Sequence, residues 1–480
     1  MSSDKPLSTA NLKKSIEEID SEDSEATEET EKPRIPTIEE LPDLIKHIKS
    51  NDSKIILQST RQIRHMVSIE NNPPLQQVIE SDIVPTFVQF LKNYDKPILQ
   101  FESAWIISNI CSGDRAQCEY IVKLNVIPIF HELIKVSKDK NILTQSIWAI
   151  GNIAGESNVY RDLILKEDSF IQNVLKMIKS FPNTFEMYQH TCWALANLCR
   201  GKPKPPYSKV KCTIPFFCGC VKSENEALII DACWGLSYLA DGICENIYDI
   251  KDKNLLSTLV GFLPKKKSNQ PINEQILTPS LRILGTIATG DYEETQLVLE
   301  TGILEKLEPL LRHQKQHIKR ETLWLISNFT AGKPDQIQKV IDSGIITTVV
   351  EIMNKYTQSI RKECCWVISN GIFEGTDEQI AYFAKQGCIV ELIKMLEGNF
   401  NGGKIIYICL ETIQRMIDIT ISQVEKIEAD ENPYISIIKN VGGVEIFERY
   451  KDFDQSNIRQ KAKEILKIFD TDTTKDIDKK

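Results

Sequence analysis

The residues of this chain best suited to chemistry are Trp and Asn, which recur at a fixed spacing. Residues four apart in a helix lie on one face, and five Trp residues are each followed four positions later by Asn. An Asn amide offers a donor and an acceptor, so a row of amides can pair with the backbone of an extended peptide. The indoles beside them can pack against lysine methylenes and attract the ammonium. The pairs are Trp105/Asn109, Trp148/Asn152, Trp193/Asn197, Trp324/Asn328 and Trp366/Asn370.

Acidic side chains near these pairs favour a basic ligand. Carboxylates form strong charge-assisted hydrogen bonds with ammonium groups. The acids within a few residues of the pairs are Glu156, Asp231, Asp241, Asp291, Glu321 and Glu363. A Trp at a fixed repeat position is often core packing instead. Packing explains the Asn residues less well, because Asn is unfavourable inside a helix and a buried Asn needs partners. We therefore predict a peptide-binding surface.

The segments that carry these pairs resemble one another and recur at a regular interval. Trp105, Trp148, Trp193, Trp234, Arg282, Trp324 and Trp366 are separated by 43, 45, 41, 48, 42 and 42 residues. A period of about 40–47 residues is typical of helical solenoid repeats. Each segment is followed by Gly, which we interpret as a left-handed helix cap. A second break of the type seen at Asn125, Gly302, Gly344 and Gly387 divides the remainder into two further helices. The sequence predicts an all-α, right-handed superhelical solenoid of about ten armadillo repeats.

Composition divides the chain into three regions. Residues 1–36 contain ten acids and five bases, within a total net charge of −9 over 480 residues. We expect this segment to be disordered, followed by the solenoid at 37–470 and a flexible tail at 471–480. The acidic balance argues against nucleic acid as the main partner. With no signal peptide and no apolar run of membrane-spanning length, we expect a soluble intracellular protein.

The sequence gives no indication of an enzyme or of a cofactor. The six His residues form no ligand or triad spacing, and no phosphate-binding Gly loop is present. The 13 Cys residues are odd in number and lack a regular framework. We interpret them as reduced, buried thiols, and we expect no metal site.

At this level of detail the chain resembles importin-α, the nuclear-import adaptor family, over residues 37–470. The resemblance rests on GNIAGESNVYRD at 151–162, WALANLCRGKPKPP at 193–206, DACWGLSYLADG at 231–242, TPSLRILGTIATGD at 278–291 and LISNFTAGKPDQIQ at 325–338. It implies two sites for Lys/Arg-rich nuclear localisation signals. The major site would comprise Trp105, Asn109, Gly113, Cys118, Gln145, Trp148, Asn152, Glu156, Trp193, Asn197, Arg200, Asp231, Trp234 and Tyr238. The minor site would comprise Arg282, Thr295, Glu321, Trp324, Asn328, Glu363, Trp366 and Asn370.

Three positions depart from the family pattern that the resemblance implies. In the major lysine pocket, Cys118 stands where the family has Thr, and Glu156 stands where it has Asp. A thiol is a weaker hydrogen-bonding group than a hydroxyl, so we expect lysine preference with lower affinity. In the minor site Thr286 replaces an Asn, which removes one expected backbone contact.

The acidic N-terminus is the largest departure. The family begins with a basic segment that recruits importin-β and folds back as an autoinhibitor, whereas residues 1–36 hold only Lys13-Lys14 as a basic pair. The segment is highly divergent, the sequence is truncated, or the protein works without that carrier. The resemblance implies cargo with localisation signals, importin-β (a prediction that this N-terminus leaves open), and shuttling between cytoplasm and nucleus. An export karyopherin and nucleoporins are further candidate partners.

Two other functions fit an armadillo solenoid. A signalling or adhesion scaffold like the catenins would bind acidic tails and need a lysine-lined groove, which the acids beside the Trp/Asn pairs disfavour. A binder or chaperone of basic proteins that does not use importin-β fits the same residues. A test of importin-β binding distinguishes the two, because only the nuclear-import adaptor binds importin-β.

Overall fold

The computed structural model describes residues 34–182, 184–241, 249–265, 273–398, 402–427 and 433–477. Most of the segment 1–36, for which we predict disorder, therefore lies outside the described residues. The chain divides into two compact units, Met1–Gly242 and Ile243–Lys480. Every described element is helical, which confirms the all-α prediction. None of the described helices is both long and apolar enough to cross a membrane.

The first unit contains fourteen described α-helices. In chain order they are α1 Leu41–Ile48, α2 Ser53–Val67, α3 Leu75–Glu80, α4 Val84–Phe90, α5 Pro97–Cys111, α6 Arg115–Lys123, α7 Val126–Val136, α8 Lys140–Glu156, α9 Asn158–Ile164, α10 Phe170–Lys179, α11 Phe185–Cys199, α12 Tyr207–Val210, α13 Ile214–Cys220 and α14 Glu226–Ala240. The recurring order is two short helices followed by one long helix. The long helices α2, α5, α8, α11 and α14 pack against one another in sequence.

The second unit repeats this order. Its described helices are α15 Lys253–Gly261, α16 Glu274–Ile287, α17 Tyr292–Leu299, α18 Leu304–Leu311, α19 Gln316–Thr330, α20 Pro334–Asp342, α21 Ile345–Lys355, α22 Gln358–Glu374, α23 Asp377–Lys385, α24 Cys388–Glu397, α25 Gly403–Ile427, α26 Pro433–Asn440, α27 Gly443–Tyr450 and α28 Ser456–Ile477. The long helices α16, α19, α22, α25 and α28 again pack in sequence. The last of them continues past residue 470, where we had placed the start of the tail.

We call the long helix of each repeat its ladder helix, because these helices carry the Trp and Asn positions. Their packing explains why the sequence of each ladder helix is apolar on nearly every face. In α5 all residues from Leu99 to Cys111 are buried, since the helix has its own repeat on one side and neighbouring repeats on the others. Five such helices in each unit agree with about ten repeats.

The glycine caps are a local error of the sequence interpretation. Gly201 does adopt a positive φ of 108°, but Gly113, Gly155, Gly290, Gly332 and Gly375 do not. The left-handed residues lie mainly at the second break instead, at Asn125, Gly302, Gly344, Gly387 and Gly442. There the chain must reverse between two short helices, and a left-handed residue makes that turn at low steric cost.

Candidate peptide-binding sites

Each ladder Asn has a structural partner that the sequence did not reveal. Asn152 donates from Nδ2 to the carbonyl of Ser108 at 3.2 Å, and Asn197 donates to the carbonyl of Gly151 at 3.2 Å. In the second unit Asn328 donates to the carbonyl of Gly285 and Asn370 to that of Ser327, both at 2.9 Å. The acceptor always belongs to the preceding ladder helix. Packing therefore explains part of the Asn pattern, contrary to our argument from the sequence.

The remaining hydrogen-bonding capacity of these amides is what a ligand can use. An Asn side chain has two N–H donors and an acceptor oxygen, and one donor is committed to the neighbouring helix. The Oδ1 atom of Asn197 is buried and makes no hydrogen bond. An unsatisfied buried acceptor costs about 1–3 kcal/mol, but at 1% exposure Asn197 holds this oxygen out of reach of a ligand.

The first three Trp side chains are buried more deeply than open lysine slots would allow. Trp105, Trp148 and Trp193 are 0, 2 and 3% exposed. Arg64 lies over the Trp105 ring at 4.3 Å, and the His190 ring contacts that of Trp148 at a centroid distance of 5.3 Å. Our expectation that these three indoles form open slots is therefore wrong for this structure. Their three indole N–H groups nevertheless make no hydrogen bond.

The third indole, Trp193, packs closely against the backbone of the preceding ladder helix. A Cβ added to Gly151 would lie 2.2 Å from Cζ3 of Trp193, and one added to Gly285 would lie 2.4 Å from Cζ3 of Trp324. Each glycine therefore makes room for the indole of the next ladder helix. The glycine precedes the ladder position Asn152 in one case and Thr286 in the other.

The predicted major lysine pocket is assembled only in part. Burial raises the pKa of the Glu156 carboxyl, with Arg115 lowering it and Asp114 raising it. These neighbours place Glu156 beside the turn that follows Gly113. Cys118, by contrast, is 0% exposed and its thiol contacts that of Cys111 inside the repeat. We correct its role accordingly: Cys118 lies in the core and does not form an exposed pocket wall.

Asp231 is a buried acid of the first unit without a cationic partner among the described residues. Its side chain is buried at 8% exposure, and no hydrogen bond or ion pair joins it to another described residue. Burial raises the pKa of its carboxyl from 3.8 to about 8. A buried carboxylate without a cation is costly, and a cationic ligand would remove that cost. Nearby, the rings of Trp234 and Tyr238 stack at 5.6 Å and are partly exposed.

Three other residues of the predicted major site are placed without an evident ligand role. Gln145 is 2% exposed, and its Oε1 atom makes no hydrogen bond. Arg200 lies just after α11, and its backbone carbonyl accepts a hydrogen bond from the buried Arg161 at 2.6 Å. Asn109 is also buried, and it donates to Ser68 Oγ at 2.9 Å.

The second unit places its predicted residues in a more open arrangement. Trp324, Asn328, Trp366 and Asn370 are all partly exposed. Arg282 pairs with Glu321, Nε to Oε1, at 3.1 Å. Burial raises the pKa of the neighbouring Glu363 carboxyl, and Arg320 opposes that shift. The two carboxylates thus lie in one polar cluster on adjacent ladder helices.

A depression of about 330 Å³ lies at the ladder residue Asn328. Its lining includes Ala288, Asp291, Thr295, Asn328 and Glu374. Thr295 itself is 3% exposed and donates from its hydroxyl to the carbonyl of Ala288 at 3.1 Å. Lys333 lines the depression as well, so its two acids and ladder amide already have a cation of the chain beside them.

Sequence reasoning missed the acid at the first ladder helix, although the register could have found it. Gln145, Asp231, Glu321 and Glu363 each lie three residues before a ladder Trp, and Glu102 has the same place before Trp105. Glu102 is 1% exposed and pairs with Nε of Arg61 at 2.7 Å and Nε of Arg64 at 2.8 Å. This carboxylate therefore already holds two cations of its own chain.

Comparison with known proteins agrees with this architecture. The armadillo/beta-catenin-like repeat family matches residues 71–112, 114–155 and 333–370. A crystal structure of an engineered protein superimposes with a TM-score of 0.75 over 89% of this chain and 98% of that one, at 20% identity. At that identity the likeness shows the fold alone, and it confirms the armadillo solenoid.

Sequence relatives decide the family. Importin subunit alpha-1b of Oryza sativa subsp. japonica is 35% identical over 430 residues, which cover 89% of this chain and 78% of that protein. The chain belongs to the importin-α family. Importin subunit alpha-3 of Arabidopsis thaliana is likewise 35% identical, over 90% of this chain and 80% of that protein. Importin subunit alpha-2 of the same plant is 36% identical over 89% of this chain. As an importin-α, the protein carries its ladder Trp and Asn residues in both units.

Proposed function

We propose that this importin-α is an adaptor for nuclear import that binds lysine-rich localisation signals at the ladder positions of each unit. The buried carboxyl of Asp231, which has no cationic partner among the described residues, carries the proposal. Taking an ionised carboxylate out of water is costly unless a cation accompanies it. A lysine ammonium supplied by the cargo would complete the pair.

The backbone of the signal would be held by the ladder amides. Asn152, Asn328 and Asn370 each donate one N–H to the preceding ladder helix and keep a second N–H and an oxygen. Asn328 and Asn370 are partly exposed, so their amides are within reach of a ligand. A single contact adds only about 0.5–1.5 kcal/mol, so micromolar binding (about −8 kcal/mol) requires several repeats to act together.

The second unit supports the same proposal through its aromatic rings. The ammonium of Lys404 lies 5.1 Å from the centroid of the Trp366 ring. The chain's own lysine thus provides an example of the contact that a cargo lysine would make. Glu321 and Glu363, three residues before Trp324 and Trp366, give the second unit negative charge at its ladder helices.

The binding experiment is a titration with a fluorescent, single-cluster lysine-rich peptide. We expect wild type to bind, and Asn152→Ala and Asn328→Ala each to lose about fivefold, equivalent to about 1 kcal/mol. The control peptide has its lysines replaced by alanine and should not bind. Failure of wild type to bind the lysine peptide at physiological salt would refute the proposal.

The adaptor role also requires a carrier, which we propose to be importin-β. The acidic composition of residues 1–36 favours a second candidate, a binder of basic proteins that works without it. Affinity capture on immobilised importin-β, with and without the lysine-rich peptide, separates the two. Retention of this chain supports the adaptor, and peptide binding without retention supports the second candidate.

A further inference from the structure

Lys404 holds an unusual place at the start of a ladder helix. It is the second residue of α25, and its exposed side chain reaches Trp366 on the preceding ladder helix α22. A cation in the first turn opposes the helix dipole, so the local helix does not favour lysine there. The contact with the Trp366 ring gives this residue a different role.

The backbone beside Lys404 is firmly placed. A Cβ on Gly403 would meet Oε1 of Gln455 at 2.0 Å, so the start of α25 packs closely on that side chain. Ile405 and Ile406 are buried at 7% and 2% exposure. The exposed ammonium is thus tethered within reach of the Trp366 face, and its effective concentration there is high.

The Trp105 ring on ladder helix α5 provides a comparison, because a cation held in place by an ion pair covers it. Arg64 lies over the Trp105 ring at 4.3 Å and is 2% exposed. The buried Glu102 carboxylate fixes its guanidinium at 2.8 Å. No acid of the described residues lies within ion-pair distance of Lys404, and its side chain remains in contact with solvent. An exposed cation–π contact is weak, so this cover can be displaced.

We infer that Lys404 is a built-in competitor of the cargo at Trp366. In the free chain its ammonium occupies the ring face, and a cargo lysine must displace it before using the same face. This inference rests on the proposed peptide-binding function of the second unit. It makes Lys404 a residue that lowers the affinity of that unit and sets how strong a signal must be to bind there.

The test measures peptide affinity at the second unit of the full chain, in an Asn152→Ala background that weakens the first. Lys404→Met keeps the aliphatic stem and removes the charge. We expect it to tighten binding about two- to fivefold, the range that one exposed cation–π contact represents. Lys404→Arg keeps a cation that also stacks on aromatic rings, and it should not tighten binding. Thermal unfolding of each variant identifies any effect that comes from stability.

Unchanged or weaker binding by Lys404→Met would overturn the inference. The variants Asn328→Ala and Asn370→Ala distinguish this failure from failure of the proposed function. If they lower the affinity while Lys404→Met has no effect, peptide binding stands and the competitor role is wrong. If wild type and all variants fail to bind, the proposed function and this inference fail together.

Discussion

The side-chain amide of Asn152 donates a hydrogen bond to the backbone carbonyl of Ser108, 44 residues earlier in the chain, at 3.2 Å. The acceptor lies just before Asn109, the corresponding residue of the preceding repeat. Asn197, Asn328 and Asn370 make the equivalent bond. The same residue type thus joins neighbouring repeats and faces the proposed ligand, which links the stability of the ladder to binding.

Substitution of Asn152 should therefore affect two quantities. We expect Asn152→Ala to lower the free energy of unfolding by about 0.5–1.5 kcal/mol, because the bond to Ser108 is lost, as well as weakening peptide binding. Chemical denaturation measures the first effect. Ser146→Ala is the matched control on the same helix, since Ser146 bonds only to Ile142 within α8. A stability loss in Asn152→Ala without a loss of affinity would reduce this Asn to a purely structural contact.

The close approach of indole and glycine gives a second prediction. Gly151→Ala places a Cβ within 2.2 Å of the Trp193 ring, and Gly285→Ala places one within 2.4 Å of the Trp324 ring. Both should destabilise the fold by about 1–3 kcal/mol through overpacking. Gly219, within helix α13, has no atom within 4 Å of an added Cβ. Gly219→Ala should be neutral or stabilising, and an equal loss in all three variants would contradict the packing argument.

Asp231 predicts a pH dependence of stability. Its folded pKa is raised from 3.8 to about 8, so the folded state binds the proton more tightly than the unfolded state. Its contribution to stability therefore falls as pH rises from about 4 to about 8. Asp231→Asn should remove this loss and raise the free energy of unfolding at pH 8 by more than about 1.4 kcal/mol, the equivalent of one unit of pKa.

The control for this experiment is an exposed acid. Asp241→Asn removes a carboxylate whose side chain is 67% exposed and which pairs with Lys204 at 3.1 Å, and it should change stability by less than about 1 kcal/mol. Denaturation curves at pH 5 and pH 8 for both variants make the comparison. A stabilisation by Asp231→Asn that is the same at both pH values would refute the assigned titration.

The same group should couple peptide binding to protons. A cargo ammonium beside Asp231 favours the ionised carboxylate, so binding at the first unit should release a proton near neutral pH. We expect peptide affinity to increase between pH 6 and pH 8.5, and Asp231→Asn to lose that increase. Calorimetry in buffers of different ionisation enthalpy measures the proton release directly. An unchanged pH profile in Asp231→Asn would exclude this residue from the site.

The buried acid at the first ladder helix gives a stability prediction. Glu102→Gln removes the charge that pairs with both Arg61 and Arg64. Removing one partner of a buried ion pair costs about 3–5 kcal/mol. Glu119→Gln breaks an exposed pair with Lys123 at 2.8 Å and should cost under about 1 kcal/mol. Similar losses in the two variants, measured by thermal unfolding, would show that the Glu102 pairs contribute little.

The sequence determined the repeat, the helical class and the register of the ladder, because these depend on spacing along one helix. Trp and Asn four apart must lie on one face, and an acid three residues before the Trp must lie one turn from that Trp on the same face. This spacing identifies Asp231, Glu321 and Glu363 as acids beside ladder Trp residues without any tertiary information. Glu102 has the same position, three residues before Trp105, and the spacing alone identifies it.

The tertiary structure decided which of these residues a ligand can reach. Trp193 and Trp366 share one register, yet the first is 3% exposed and the second is half-buried under Lys404. Gly151 lies against the first ring and the Lys404 ammonium over the second, and both belong to a neighbouring repeat about 40 residues away along the chain. The same holds for Cys118, which turns into the core beside Cys111. Spacing along the chain fixes neighbours on one helix, but burial and pKa depend on packing between helices, which only the folded chain specifies.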